Sequence, residues 1–482
     1  MILTRALLVT TLSVTAAIAA VAHAQSAEQG GVETARTLPP APSAAISTTL
    51  AASITGTAAT PRAANTGPLS ATPAPVGEPL TLPQAEAMAL RKQPMLQAAQ
   101  FRARAQRERI REQSAARLPT IVMNATGSLV ADTGTSTAAG ALTTSSLSDR
   151  FAYGGTLVQL VTDFGRTSSL ISSERSETQA ANDRTILTQA AIRLSVRDAY
   201  FQVLGAEAVL HAAEEARRNR ALIYHQVSEL AASQLRSTLD VNFAGVLESQ
   251  AELAVVQARS LVEQQRARLG TAMGNQQAVT APLVAEALPS DLPATVTMLL
   301  AEADTQRADL QAARAEQMAA KEFSKAQTRL NYPTLDALGS AGQIPFHDHT
   351  LQGNYAAAGF NLRVPIFNGG LFHAQQAEAA LNASARERDT REQQLEVSQQ
   401  VQTTWIAAQE AFQSIAVTRR LVEQSREAFR LAKARYDAGL GSIVELNEAQ
   451  LNQTSAEISV ADATFTYLSR RALLDYATGQ LN

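Results

Sequence analysis

The chain has 482 residues, a formal net charge of −3, 5% aromatic residues and no cysteine. The low aromatic content favours long helices with narrow cores over a thick globular core, and without a basic cluster no nucleic-acid partner is predicted. The lack of cysteine excludes disulfides, thiol catalysis and thiolate metal sites.

The first 79 residues contain two segments that we place outside the folded part. Residues 1–24 combine Arg5, an apolar stretch and the small-residue site Ala22-His23-Ala24, which predicts a secretory signal peptide. Residues 25–79 are rich in Ala, Pro and Thr and predict a disordered tether. No later segment has the roughly 18 uninterrupted apolar residues of a transmembrane helix.

From residue 80 onward the chain contains an internal duplication. Residues 96–120 align with residues 310–334 at an offset of 214, and farther along the offset is 205. The sequence therefore predicts a first repeat over residues 80–290 and a second over residues 291–482. The change of offset indicates a length difference in an exposed loop.

Each repeat is predicted to hold one β-hairpin, at about residues 119–163 and 333–367. In the second, Phe360 and Leu362 share one face, while Arg363 belongs to the other. One apolar and one polar face is typical of membrane-barrel strands and also fits a soluble sheet. Four strands per chain are fewer than the about eight that close a barrel, so several chains would have to share one.

A sharp turn from strand to helix is predicted after each hairpin, because glycine adopts backbone angles that other residues resist. The residues predicted at these turns are Asp163, Gly165, Pro365, Asn368 and Gly370. Asp163-Phe164-Gly165 also matches a tripeptide of protein kinases. The chain has no His-Arg-Asp loop and no Gly-rich phosphate loop, so kinase chemistry is not predicted.

After each hairpin the apolar period becomes that of a coiled coil. Val401, Trp405, Ala408 and Phe412 follow spacings of four and three, which is typical of a helix-packing seam. From about residue 371 to 436 the pattern predicts a helix of roughly 65 residues, about 100 Å long.

Two short breaks interrupt the helical pattern. At the second, Ser442 and Glu445 form the capping box that restarts a helix, and at the first Ser237 and Asp240 have the same spacing. In such a box the serine side chain accepts from a helix-end amide and the acid reaches back to the serine backbone. The breaks are therefore predicted to be hairpin turns between long helices.

Residues 80–482 resemble the TolC-like outer-membrane factors, the exit ducts of tripartite efflux pumps and type I secretion systems. The segments that carry the resemblance are LTLPQAEAMALRKQPMLQAA (80–99), VQLVTDFGR (158–166), LRSTLDVNFA (235–244), RVPIFNGG (363–370), ARYDAGLGSIVELNEAQ (434–450) and YATGQLN (476–482). The resemblance implies a mainly α fold with β strands. Long coiled-coil hairpins would form a periplasmic tunnel, and four strands per chain would form a 12-stranded β-barrel shared by a homotrimer.

The resemblance also implies the partners and the location. They are a periplasmic adaptor (membrane fusion) protein, an inner-membrane pump and outer-membrane lipid, with the chain in the cell outer membrane and its tunnel in the periplasm. No cofactor is implied. The implied function is passive transport of small molecules out of the cell.

At the breaks the resemblance implies the periplasmic tip of the tunnel, where it narrows. The residues implied at this gate are Asp240, Tyr436, Gly439, Gly441, Glu445 and Glu448. Glu445 and Glu448 match acids that ring the constriction, and such a ring favours cations. Tyr436 would bond Asp240 to hold the tip closed. An arginine that accompanies this latch is expected at the position of Gly441. For Glu445 the sequence is compatible with capping alone and with gating.

Other functions fit fewer of these observations. An exit duct for protein secretion, a soluble periplasmic coiled-coil scaffold and an enzyme on a helical frame are the alternatives. His347-Asp348-His349 lacks a third clustered ligand, and no Gly-x-Ser-x-Gly context supports a catalytic serine. We therefore predict no enzymatic activity, no catalytic residue and no metal site.

Overall fold

The structure is a computed structural model that describes residues 78–128, 135–137, 144–146, 150–288, 292, 295–346 and 353–482. The predicted signal peptide, nearly all of the predicted tether and the His347-Asp348-His349 segment lie outside these residues. The predicted roles of those segments therefore stay predictions.

Helices make up most of the described chain. They are α1 (Leu82–Lys92), α2 (Pro94–Ala115), α3 (Arg166–Ala232), α4 (Thr238–Ala272), α5 (Val296–Gln306), α6 (Ala308–Thr328), α7 (Leu371–Asp437) and α8 (Ile443–Thr478), with a 3-10 turn at Arg329–Asn331. Helices α3 and α7 have 67 residues each, or about 100 Å at 1.5 Å per residue. The predicted long helix from about residue 371 is confirmed by α7. Within the described residues, none of the helices is both long enough and apolar enough to cross a membrane.

The main sheet has four antiparallel strands. The strands of the described residues are β1 (Thr120–Ser128), β2 (Thr135–Thr137), β3 (Thr144–Ser146), β4 (Arg150–Thr162), β5 (Thr334–Phe346) and β6 (Asn354–Arg363). The sheet has the order β1-β4-β5-β6, and β2 pairs with β3. The predicted hairpins correspond to β1 with β4 and to β5 with β6. The outer strands β1 and β6 each have one edge without a partner among the described residues.

The register gives the sheet one strongly apolar face. Ile121 of β1 is paired with Leu157 of β4, and Phe360 of β6 falls on the same face because side chains alternate along each strand. Asp336 of β5 pairs with Asn361 of β6 on the opposite face. Ile121 and Phe360 are exposed in the single chain, so the apolar face is uncovered there.

Tyr355 fills a gap in the more polar face. It pairs with Gly342, which in turn pairs with Gly154. A Cβ added at Gly342 would lie 2.6 Å from the Tyr355 hydroxyl oxygen, and one at Gly154 would also overlap it. Glycine within a strand often marks such a close approach, so the two glycines leave room for the phenol ring.

The long helices pack in pairs through small side chains. On α4, Ala244, Ala251 and Ala258 are buried at intervals of seven residues, and Ala258 packs against Ala213 of α3. A seven-residue repeat keeps one face of a helix toward its partner. These narrow seams explain why so long a chain needs few aromatic residues.

A thicker core lies where α1, α3 and α8 meet. Tyr200 of α3 is fully buried there. Its hydroxyl oxygen lies 2.8 Å from Leu80 O and accepts from Val284 N at 3.0 Å. Because buried polar groups are costly unless paired, this one hydroxyl fixes the segment before α1 and the segment after α4 against α3.

The turn from β4 into α3 is closed by a carboxylate. Asp163 accepts from Gly165 N at 3.1 Å and from Thr167 N at 2.6 Å. Gly165 has φ +93°, and Gly370 has φ +85° at the start of α7, so both glycines adopt the left-handed conformation. Partial burial raises the pKa of the Asp163 carboxyl, but the hydrogen bonds from Thr167 and Gly165 outweigh it and hold the pKa below its ordinary value.

We expect Asp163→Ala to lower the free energy of unfolding by about 1 to 2 kcal/mol at neutral pH, because the amides at the start of α3 lose their acceptor. The folded pKa is depressed, so this stabilisation is present above the ordinary pKa of 3.8 and is lost as the pH falls through the folded pKa. Thermal unfolding in detergent at neutral pH and at about pH 3 measures the difference.

Asp163→Asn is the control for that experiment, since it keeps one acceptor oxygen without the charge. It should retain most of the cap and show no loss of stabilisation at low pH. Equal destabilisation of the Ala and Asn variants at both pH values would contradict the charge-based account.

Candidate functional site

The two breaks in the helical pattern lie side by side. One is the turn between α3 and α4, and the other is the turn between α7 and α8. A buried cluster joins them, which we call the tip cluster; its members are Ile223, Val227, Tyr436, Ile443 and Leu446. Since the first two belong to α3 and the last two to α8, the two helical hairpins touch at their tips.

The second turn is a Schellman motif. Leu440 N donates to Arg435 O at 2.9 Å and Gly439 N donates to Tyr436 O at 3.0 Å, and Gly439 has φ +74°. This motif satisfies carbonyls that the end of a helix leaves unpaired. Gly439 therefore serves the turn itself.

Gly441 belongs to the same turn. Its N also donates to Arg435 O, at 3.0 Å. A Cβ at this position would lie 3.1 Å from Tyr436 N, which is closer than side chains ordinarily come to a backbone atom. The close approach of the backbone explains why glycine stands where the resemblance implies a latch arginine.

The first turn has the same bonds but no glycine. Leu235 N donates to Leu230 O at 2.9 Å and Gln234 N donates to Ala231 O at 2.9 Å. Gln234 has φ +62°, a conformation that costs a non-glycine residue about 1 to 2 kcal/mol. Gln234 thus carries backbone strain at the place that Gly439 takes in the second turn.

The two serines cap the helices that follow. Ser442 Oγ accepts from Glu445 N at 3.1 Å, and Ser237 Oγ accepts from Leu239 N at 3.1 Å. The carboxylate of Glu445 departs from the predicted box, because it pairs with Arg435 Nε at 3.1 Å. The Schellman turn brings the Arg435 guanidinium next to the start of α8. The carboxylate of Glu445 therefore pairs with this full positive charge rather than with the backbone of Ser442.

Tyr436 does not make the implied bond to Asp240. It is buried, and its hydroxyl has no hydrogen-bond partner among the described residues. Burial raises the pKa of this hydroxyl, and the nearby charge of Arg236 partly opposes that rise while Asp240 adds to it. Asp240 is thus near enough to act on the Tyr436 hydroxyl electrostatically, but it does not accept a hydrogen bond from it.

Two arginines of the tip were not among the residues predicted from the sequence. Arg236 lies over the Tyr436 ring, with 4.5 Å between its guanidinium carbon and the ring centre, and Arg435 pairs with Glu445. Their only signal in the sequence is that each directly precedes a predicted tip residue. Glu448 was predicted and is exposed, and no ion pair of Glu448 occurs in the part of the chain that the structure describes.

The predicted strand-to-helix residues all lie in two short connections. They are Asp163 and Gly165 between β4 and α3, and Pro365, Asn368 and Gly370 between β6 and α7. Leu371 N donates to Asn368 O at 3.2 Å. Phe164 at φ +52° and Gly369 at φ +64° also adopt left-handed conformations, and neither was predicted from the sequence.

The site offers charge and shape rather than a reaction centre. Among the described residues there is no group of three or more His, Asp or Glu side chains that could hold a metal ion. The groups at the tip are carboxylates, guanidinium groups and one phenol, on turns between rigid helices. Such an arrangement can select by charge and can open or close.

Known proteins match this chain over both its helices and its strands. The model of the family described as "Outer membrane efflux protein" matches residues 87–275 and 299–480. Outer membrane protein TolC of Salmonella enteritidis is 25% identical over 312 residues, covering 61% of this chain and 62% of that protein. The probable efflux pump outer membrane protein TtgC of Pseudomonas putida is 25% identical over 331 residues, covering 66% of each chain.

Solved structures share the fold. The outer membrane protein VceC of Vibrio cholerae has a TM-score of 0.70 at 20% identity, covering 83% of this chain and 96% of that one. The open state of the MtrE outer membrane channel of Neisseria gonorrhoeae has a TM-score of 0.67 at 21% identity, covering 83% and 88%.

The paired turns generate a reciprocal test. We expect Gln234→Gly to slow amide hydrogen exchange at Leu235 about fivefold, because it removes a strained backbone at a cost of chain entropy. Gly439→Ala should speed exchange at Leu440 by a similar factor. Hydrogen exchange followed by mass spectrometry resolves both turns. Unchanged exchange in both variants would mean that the strain at Gln234 has no energetic consequence.

Proposed function

The chain belongs to the outer membrane efflux protein family, and from that membership we propose that it is the exit duct of a tripartite efflux pump, passing small molecules out of the cell. One observation carries the proposal. A sheet with an uncovered apolar face is joined, in one chain, to helices about 100 Å long. The sheet suits a bilayer and the helices suit a passage across the periplasm.

Family membership confirms several predictions made from the sequence. The resemblance to outer-membrane factors and the outer-membrane location are confirmed by the family and by relatives named as outer membrane proteins. The prediction that the chain is not an enzyme is confirmed on the same basis. A mainly helical fold with a four-stranded sheet is confirmed by the structure and its neighbours.

The proposed assembly is a homotrimer. Unpaired strand edges cannot be left in lipid, and β1 and β6 each present one in the described chain. Four strands are too few to close alone. Three chains would supply a 12-stranded barrel, a number taken from the resemblance. Ile121 and Phe360 would then face outer-membrane lipid, while Asp336 and Asn361 would line the lumen.

The proposed partners are a periplasmic adaptor and an inner-membrane pump. The chain itself would be a passive conduit, so energy for transport has to come from elsewhere. One relative is named as a pump component, which favours efflux over protein secretion.

A soluble scaffold is disfavoured because it would leave the apolar face of the sheet without a covering. The duplication into repeats over residues 80–290 and 291–482 fits the equivalent turns of the two hairpins.

The proposed gate is the tip formed by the two hairpin turns. Glu445 and Glu448 both lie on the first turn of α8 or just beyond it and are exposed. In a trimer they would form two adjacent rings of carboxylates that attract cations. Because Arg435 partly neutralises Glu445, Glu448 is the stronger contributor. Tyr436 and Asp240 would belong to the contact between the hairpins.

The location and assembly are tested by fractionation. We expect the protein in the outer-membrane fraction, soluble only with detergent, and migrating as an oligomer that resists SDS at room temperature and dissociates on heating. The uncovered apolar face is the physical reason. A monomer in the soluble periplasmic fraction would overturn the proposal.

The gate is tested by single-channel recording in planar bilayers. We expect Glu448→Ala to raise the concentration of a divalent cation needed for half-block about tenfold, the equivalent of about 1.4 kcal/mol per channel. Glu445→Ala should have a smaller effect because its charge is already paired. The double variant should be the least sensitive.

Glu427→Ala is the matched control for the recordings. Glu427 pairs with Arg430 on the exposed side of α7, away from the turn, so its loss should leave the block unchanged. If the double variant is blocked as strongly as the parent channel, the carboxylate ring is misplaced.

A further inference from the structure

One arginine of the first helical hairpin, α3 with α4, reaches the second, α7 with α8. The guanidinium carbon of Arg236 lies 4.5 Å from the centre of the Tyr436 ring. Its Nη2 donates to Tyr436 O at 3.2 Å. A single side chain thus contacts both the aromatic face and the backbone of the other hairpin.

Arg236 contacts the ring of Tyr436 and makes no hydrogen bond to its hydroxyl. The hydroxyl is buried without a hydrogen-bond partner among the described residues. A guanidinium over an aromatic face is attracted by the ring, and the attraction strengthens when water is excluded. Asp240 and Asp437 are close enough to act on Tyr436 electrostatically, and their negative charge also favours a cation at this place.

The other arginine of the tip does not join the hairpins. Arg435 and its partner Glu445 both belong to the second hairpin. Gly441 has no side chain to contribute and is held by the Schellman turn. Arg236 is therefore the cation that crosses from one hairpin to the other at this level of the described chain.

We propose that Arg236 is a clamp residue, which holds the two helical hairpins together at the tip by stacking on Tyr436. Separation of the hairpins then requires this stacking to break. The assignment of the clamp to a gate rests on the proposed function. The clamp itself is a property of the fold and is measured without transport.

The clamp predicts an unusual pattern of substitutions at Tyr436. Tyr436→Phe keeps the ring and removes an unpaired hydroxyl, so the tip stays closed. Tyr436→Ala removes the stacking surface and opens it. Arg236→Lys keeps the charge but loses the planar group. Its tip should therefore open more often than that of the parent protein and less often than that of Arg236→Ala.

Thiol labelling measures the contact directly. The chain has no cysteine, so Val227→Cys or Ile443→Cys places a single thiol in the tip cluster, one on each hairpin. Maleimide labelling of the purified full-length protein in detergent reports how often the cluster opens. Two separate thiol positions guard against a poorly folded variant.

We expect Arg236→Ala to raise the labelling rate about tenfold, the ratio for loss of one partly buried cation–π contact and one hydrogen bond. Tyr436→Ala keeps the backbone acceptor of Arg236 but loses the ring and its packing in the tip cluster, so it should raise the rate by at least as much. Tyr436→Phe should label at the parent rate. Arg435→Ala is the matched control and should also label at the parent rate. An unchanged rate in Arg236→Ala, or a Phe variant as fast as the Ala variant, would overturn the clamp.

Bilayer recording of the same variants separates the clamp from the proposed function. Higher conductance in Arg236→Ala together with faster labelling supports a clamp that acts as the gate. If the parent protein forms no pores, the proposed function fails while the labelling result still decides the clamp. Faster labelling with unchanged conductance in a pore-forming protein would overturn the assignment of the clamp to the gate.

Discussion

The ends of very long helices impose the constraint on which the rest of this structure depends. Every helix leaves backbone groups unpaired at both termini, and a chain with two helices of 67 residues must satisfy them while reversing direction. The residues that satisfy these backbone groups stand at the helix ends. Asp163 closes the start of α3, Gly439 closes the end of α7, and Ser237 and Ser442 restart the return helices.

The fold could be predicted to a large extent because its signals are local and periodic. The extent of α7 follows from the coiled-coil spacing around Val401 and Ala408, and Gly165 and Gly370 announce turns that need left-handed backbone. The order of the four strands did not follow, because the pairing of β4 with β5 joins segments that are far apart in sequence. No local pattern encodes that pairing.

The tip could be predicted in its backbone but not in its side-chain partners. Turn residues such as Gly439 and Ser442 act on neighbours in sequence, so spacing reveals them. Arg236 acts on Tyr436, two hundred positions away, and its partner depends on how the hairpins pack. The pairing of Arg435 with Glu445 lies within one hairpin, and there the geometry of the turn sets which charges meet.

Each hairpin satisfies its own backbone, and this bears on how the tip can open. The Schellman bonds and serine caps lie within one hairpin or the other. Even Tyr436 O, which accepts from Arg236, also accepts from Gly439 N. Separation of the hairpins would therefore expose the tip cluster and release one guanidinium, but it would orphan no backbone group at either turn. A movement that breaks side-chain contacts alone leaves both helical hairpins intact, so the two can part as rigid units.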